Sequence, residues 1–304
     1  MSYAVKRTNS TFHLLCTLSK NSKDSIYHVN GLFDFKYNII PLIFLGMLGR
    51  RIVVSPRGML DSSALLKNNE LKRFIIFLYR NIKKIIWHVS SFKEYADVSK
   101  HIKQGIIHEI PELIIRSSSI KNHHFPREKG YAIHVGRIHK VKNQIATVLQ
   151  YHKIKSMFSS LYILGPIEDQ AYLNEVINLI KELKIEEQVV FLGECDPEET
   201  RRYIANASLS FQISEFESFG HVIAESIMNN TPVIISKNTP WGDLAKYSIG
   251  IVLEDPMNEL DNNQVQKLID SDKSLFVQYI DQSELLKNPK GKYINLYKNH
   301  AGIN

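Results

Sequence analysis

Cysteine is scarce: the 304 residues hold only Cys16 and Cys195, far apart. That excludes a disulfide framework and fits a reducing compartment. No C-x-x-C or H-E-x-x-H spacing occurs, and His123-His124 and Asp270-Asp272 sit in polar, loop-like contexts. No metal site is expected. No apolar run reaches the roughly 20 residues a bilayer crossing needs. The longest, "IIPLIFLGML" (Ile39–Leu48), contains a proline and a glycine. "FHLLCTL" near the start is too short for a secretory signal, and no small-residue cleavage site follows it. Both stretches read as buried structure. There is no internal repeat, no low-complexity tract and no motif that reads RNA or DNA, so nucleic acid is not an expected partner.

What is present is an ordinary globular composition, 44% apolar and 23% charged, with enough chain for two cores. The charge is uneven. Residues Met1 to Ile120 carry 18 Lys and Arg against 8 Asp and Glu, and the remainder 20 against 23, giving the overall +7. A basic first half implies an anionic partner, such as phosphate-bearing substrate or a membrane surface.

Short buried strands alternate with helical patterns along the whole chain, which is the mark of parallel α/β sheets. In the first half, "SIYHVN", "RRIVVSPRG", "IIWHVSS" and "GIIHEIP" read as strands. The front of "ELKRFIIFLYRNIKK" and "FKEYADVSKHI" read as helices. A polar linker, Arg116–Gly130, suggests a boundary, giving domains 1–120 and 121–304. The second half runs "YAIHVGRI", "SLYILGP", "QVVFLGE", "LSFQIS", "TPVIIS" and "GIVLED" as strands with helices between. Among these helices, "DPEETRRYIANA" has Asp196 as N-cap and Pro197 at the first helical position. The tail from Asn258 is polar and helical in pattern, and is grouped with the second domain. Such doubly wound sheets take ligands at the carboxyl ends of their strands.

Two stretches carry chemistry. "SEFESFGHVIAES" (Ser214–Ser226) follows a strand and opens a helix near Gly220-His221. Free backbone N–H groups at a helix start favour an anion, and a glycine allows close approach. Glu217 before the helix can accept hydrogen bonds from sugar hydroxyls, and Glu225 within it can reach a ribose diol. Two exposed glutamates near a helix are equally compatible with this stretch alone. "GRIHKVKN" (Gly136–Asn143) ends a strand and presents Arg137 and Lys142, which suit a departing diphosphate. Taken alone, two solvated loop cations are the simpler reading. The order of these parts, followed by "TPVI", decides for a ligand site.

From about Tyr131 to Leu253 the sequence resembles the GT-B-fold glycosyltransferases of family 4, the group 1 transferases, of bacterial surface-polysaccharide type. Its E-x7-E element matches Glu217 and Glu225, and its Arg/Lys pair matches Arg137 and Lys142. The resemblance implies that the amides around Phe219, Gly220 and His221, with Gly136 nearby, hold donor sugar and diphosphate. "FLGE" (Phe191–Glu194) falls near the base, and "TPW" (Thr239–Trp241) beside the site. It further implies two Rossmann-like domains facing across a cleft. Activity would be retaining and metal-independent, with a nucleotide diphospho-sugar as substrate and no separate cofactor. The expected acceptor is a glycan or lipid-linked glycan, and the expected location is the cytoplasm, at the inner face of the membrane.

"HVNGLF" and "VVSPRGMLDSSAL" resemble the family's N-domain more loosely. Many members have a further strand and a Gly-rich loop ahead of the segment at His28. They also carry histidine where this chain has Arg57. An incomplete first domain is therefore expected, and with it an alternative: a non-catalytic protein that binds nucleotide sugars. A GT-B sugar-nucleotide epimerase would need an acid/base pair that the sequence does not reveal. His134, Trp87 and Trp241 read as packing residues. The basic stretch Lys72–Lys84 reads as a solvated face, with contact to anionic headgroups as the second reading.

Overall fold

The computed structural model describes residues 11–20, 25–66, 69–102, 105–114, 130–257 and 260–301. Most of the linker Arg116–Gly130, including His123-His124, lies outside them. Two units result. One runs to Glu112 and resumes at Asn288; the other spans Leu113–Lys287.

The first unit contains α1 (Thr11–Lys20), β1 (Ile26–Asn30), α2 (Ile40–Met47), β2 (Arg51–Ser55), α3 (Ser62–Leu66), α4 (Asn69–Arg80), β3 (Ile85–Val89), α5 (Phe92–His101) and β4 (Ile106–Glu109). The strands form a parallel sheet in the order β1-β2-β3-β4. Every step goes the same way, so right-handed crossovers place the connecting helices on one face. The pleat shows this directly. Tyr27, Val29, Ile52, Val54, Ile85 and Trp87 pack with residues of α2, α4 and α5, while the intervening Val53 and Ile86 belong to a second cluster.

Four parallel strands wound in one direction leave the other face bare. The second unit comprises β5 (Ala132–Val135), α6 (Gln144–Ile154), β6 (Leu161–Leu164), α7 (Gln170–Glu182), β7 (Val189–Gly193), α8 (Pro197–Asn206), β8 (Leu209–Gln212), α9 (His221–Met228), β9 (Val233–Ser236), β10 (Gly250–Leu253), α10 (Asn262–Ile269) and α11 (Lys273–Gln282). After it, α12 (Lys290–Ala301) returns and covers that bare face. Leu296 packs with Val53, Ile86 and Ile110, and Tyr293 and Tyr297 pack against them. This corrects the expected division at 120/121 with the tail in the second domain. The first unit ends at Glu112, and residues from Asn288 belong to it. The sheet needs an apolar cover, and among the described residues the tail supplies it.

A polar chain ties α12 down. The Ile110 carbonyl can only accept, so His88 Nε2 carries its proton and donates to it at 2.9 Å, with Tyr293 Oη 3.0 Å away. His88 Nδ1 then accepts from Ser55 Oγ at 2.7 Å. Ser55 Oγ accepts from His28 Nε2 at 2.7 Å, and His28 Nδ1 accepts from Tyr297 Oη at 2.6 Å. The chain works only with neutral imidazoles. Burial, and then the charge of Arg57, holds His28 down to about 4; burial does the same for His88.

In the second unit all six strands are parallel in the order β10-β9-β8-β5-β6-β7. Numbered along the chain this is 3-2-1-4-5-6, the doubly wound Rossmann order. The core on one face is built with α6, α7 and α10, and on the other with α8, α9 and α11. The strands and helices expected in this half are present. Asp196 caps α8 by accepting from the N–H groups of Glu198 and Glu199, with Pro197 opening the helix. Ile39–Leu48 is helix α2 for most of its length. Pro41, Leu42 and Leu45 are buried as expected, but Met47 is 82% exposed. Among the described residues no helix is long and apolar enough to cross a membrane.

Candidate active site

The winding direction of the second sheet reverses between β5 and β8, which lie side by side. Loops leaving such neighbours in opposite directions open a crevice at their carboxyl ends. Both stretches singled out in the sequence are those loops.

After β5 the chain turns at Gly136 and makes a short 3-10 turn, Lys140–Lys142. His139 Nδ1 accepts from the Val141 N–H. Asn143, left-handed at φ 53°, caps α6 by accepting from the Ala146 N–H. The Glu215 N–H donates to the Val141 carbonyl at 2.9 Å, joining this turn to the loop after β8. The two loops then meet through side chains: Lys142 Nζ lies 2.5 Å from Glu217 Oε1. Ser214 Oγ donates to the same oxygen at 2.8 Å. Both members of the pair are largely buried, with side chains 19% and 13% exposed. The Glu217 N–H approaches the Asn238 carbonyl at 3.4 Å, so the loop after β9 joins as well.

Gly220 ends that loop at φ +81°, left-handed, and caps α9. A side chain here would strike Ile223 at 2.9 Å and the Trp241 indole nitrogen at 3.1 Å. The Trp241 Nε1–H donates to the Phe219 carbonyl, and the two rings meet edge to face with centroids 5.5 Å apart. Trp241 is fully buried, as its packing role anticipated, and so is Trp87 in the first unit. The Ile223 and Ala224 N–H groups donate to the Gly220 carbonyl and close the first turn of α9. His221 is exposed, its ring 5.1 Å from that of Phe219. Glu225 sits in the second turn of α9, partly buried. Burial raises its pKa, opposed by the charge of Arg201.

The predicted residues therefore fall into three groups. Gly136, Lys142 and Glu217 meet at the crevice, and a side chain on Gly136 would touch Lys142. Phe219, Gly220 and His221 form the α9 entrance. Arg137 and Glu225 stand apart from both groups: Arg137 pairs with Glu168 on the loop after β6, and Glu225 lies within α9 in the field of Arg201 of α8. Phe191 of the "FLGE" segment lies on edge strand β7, 37% exposed. Arg57, in the first unit, pairs with Glu112 and donates to Asn30 Oδ1.

Sequence reasoning missed the support beneath the site. His134 is fully buried, as a core residue, and bridges β5 to β8: its Nδ1 lies 3.1 Å from the Phe211 carbonyl. Gln144 Nε2 reaches His134 Nε2 at 3.2 Å and donates to the Arg137 carbonyl at 2.8 Å. Burial, then the Lys142 charge, holds His134 down to about 3, so it is a neutral brace. Ser214 was legible in principle, three residues before Glu217 at the edge of a strand. Among the described residues no three His, Cys, Asp or Glu come together so as to hold a metal ion.

A model of the family described as glycosyl transferases group 1 matches residues 116–283, more than half of the chain and all of these loops. The chain belongs to the group 1 glycosyl transferases. An N-acetyl-alpha-D-glucosaminyl L-malate synthase of Bacillus anthracis is 26% identical over 162 residues, 46% of this chain and 42% of that protein. An N-acetylgalactosamine-N,N'-diacetylbacillosaminyl-diphospho-undecaprenol 4-alpha-N-acetylgalactosaminyltransferase of Campylobacter jejuni is 32% identical over 105 residues, 34% of this chain and 27% of that protein. The matches thus span less than half the length of these curated relatives. The crystal structure of HepE of Anabaena with UDP and glucose has a TM-score of 0.72 at 15% identity, covering 94% of this chain and 80% of that one. At that identity the likeness speaks for the fold, and this group 1 chain has the two-domain GT-B fold.

Proposed function

We propose that this group 1 chain transfers a hexose from a nucleoside diphospho-sugar to a hydroxyl of a glycan or lipid-linked glycan, with the anomeric configuration retained. The bond from the anomeric carbon to the diphosphate oxygen breaks, and its electron pair leaves with the diphosphate. The acceptor oxygen bonds the same carbon, and its proton passes to the leaving diphosphate. No carboxylate is assigned as nucleophile. Charge builds on the departing group, and in this reading Lys142, Arg137 and the amides at the α9 entrance bind it more tightly as it builds. These positive groups fill the part that a metal plays elsewhere, and no cofactor besides the donor is invoked. Glu217 orients the sugar, and Glu225 holds the ribose.

The observation that carries the reading is the meeting of Lys142 and Glu217 across the β5/β8 crevice, from loops 75 residues apart. A cation for the diphosphate and an acid for the sugar stand together where doubly wound sheets bind ligands. The undecaprenol-linked substrate in the name of the Campylobacter jejuni relative, and the basic first half of this chain, support a lipid-linked acceptor at the cytoplasmic face of a membrane.

Thermal shift against a panel of nucleotide sugars identifies the donor, since a ligand of the folded state raises the melting temperature. Transfer from that donor, with the product anomer read by NMR, then tests the chemistry. A melting temperature indifferent to every nucleotide sugar would sink the reading. A second reading, donor binding without transfer, is favoured by the Arg137–Glu168 pair, which leaves one cation beside Glu217. Protein that is stabilised by the donor but never releases nucleoside diphosphate would establish it.

A further inference from the structure

Helix α4 is apolar on two sides. Ile75, Ile76 and Tyr79 face the core of the first unit. Leu71, Phe74 and Phe77 point away from it, exposed by 60%, 58% and 57%. Residues three apart on a helix fall about 60° short of a full turn, so these three form one slanted outward stripe. Single exposed hydrophobic residues are ordinary, but an aligned set with two phenylalanines is not. A groove also lies between α4 and α2. Ile43, Met47, Leu78 and Ile82 line it, and Lys83 and Lys84 stand at its edge. Met47 is 82% exposed.

Charge decides what covers this face. From Asn69 to Lys84 there are five cations, Lys72, Arg73, Arg80, Lys83 and Lys84, against one acid, Glu70. Lys83 and Lys84 lie at this face and Arg73 and Arg80 on its flank, so a second copy of the same segment would bring like charges together and self-association is opposed by repulsion. An anionic bilayer suits both halves: phenylalanine and leucine enter the headgroup boundary, and lysine and arginine stay at the phosphates on their long stems. The helix, about 18 Å long, lies flat on the surface rather than across it.

We propose that α4 and the end of α2 dock this protein on anionic phospholipid bilayers. Leu71, Phe74, Phe77 and Met47 enter the acyl boundary, and Lys83 and Lys84 contact headgroup phosphates. The proposal deepens the membrane part of the proposed function. It is tested without donor or acceptor, so it can fail while the transfer reading stands.

The test is co-sedimentation of the full chain with phosphatidylglycerol/phosphatidylcholine vesicles and with phosphatidylcholine alone, at low and high salt. The expected result is binding to the anionic vesicles only, weakened by salt. Phe74→Ser with Phe77→Ser should lower the partition coefficient at least about tenfold, and Lys83→Glu with Lys84→Glu about as much. All four residues are on the surface, and circular dichroism melts confirm that the variants fold. Equal binding to neutral vesicles, no binding to either, or unchanged binding of the phenylalanine variant overturns the proposal. So does a wild-type dimer in light scattering that the phenylalanine variant dissociates, which would make the face a protein interface.

Discussion

Mild acid should loosen the first unit before the second, through histidines buried in their neutral form. In the unfolded chain an imidazole titrates near 6.5, whereas His28 and His88 are held down to about 4 and His134 to about 3. Below pH 6.5 the unfolded chain therefore takes up protons that the folded chain refuses, and stability falls as pH drops. The loss starts near pH 6.5 and levels off below the folded values. At pH 5 each such histidine costs about 2 kcal/mol. Two lie in the first unit, for about 4 kcal/mol, offset in part by Asp97, whose carboxyl burial raises to about 6 so that the folded chain binds its proton first; one lies in the second, for about 2 kcal/mol.

The two tryptophans make the units separately visible. Trp87 is buried in the first and Trp241 in the second. Trp241→Phe leaves a reporter for the first unit, and Trp87→Phe one for the second. With a urea slope of about 2 kcal/mol per M, the midpoint seen by Trp87 should fall by about 1.5 M between pH 7.5 and pH 5. That seen by Trp241 should fall by about 1 M. A Trp87 midpoint that stays put over this range would refute the neutral, directional chain from Tyr297 to Ile110.

Other consequences are direct. Tyr297→Phe removes the donor to His28 Nδ1 and should cost about 1 kcal/mol, read as a lower Trp87 midpoint. Gly220→Ala forces a side chain onto Ile223 in a left-handed backbone; a loss of about 1–3 kcal/mol in thermal melts and weaker nucleoside diphosphate binding are expected. Lys142→Ala leaves Glu217 largely buried with Ser214 as its remaining hydroxyl partner and should destabilise the second unit by about 1–3 kcal/mol. With Arg137→Ala added, donor turnover should fall by about a thousandfold or more, measured as released nucleoside diphosphate. Glu225→Ala should weaken nucleotide binding about tenfold or more in calorimetry, with little change in folding, because its environment already disfavours its charge.

Much of this was legible before any coordinates. Short continuous apolar runs, turn glycines and the Asp196-Pro197 cap are local signals, and they located strands and helices in both halves. The strand reading likewise placed Gly136–Lys142 and Ser214–Gly220 on the loops after two strands, with Glu225 in the helix that follows. What no local pattern could decide is which strands lie side by side. That β5 pairs with β8, bringing Lys142 to Glu217 from 75 residues away, follows from sheet order alone. Arg137 equally suited a site beside Lys142; the neighbouring β6 loop offered Glu168, and the pair formed there. The tail looked like the end of the second domain because it follows it in sequence. Its helix belongs to the first because four strands wound in one direction leave an apolar face open, and burying that face against Leu296, Tyr293 and Tyr297 outweighs proximity along the chain.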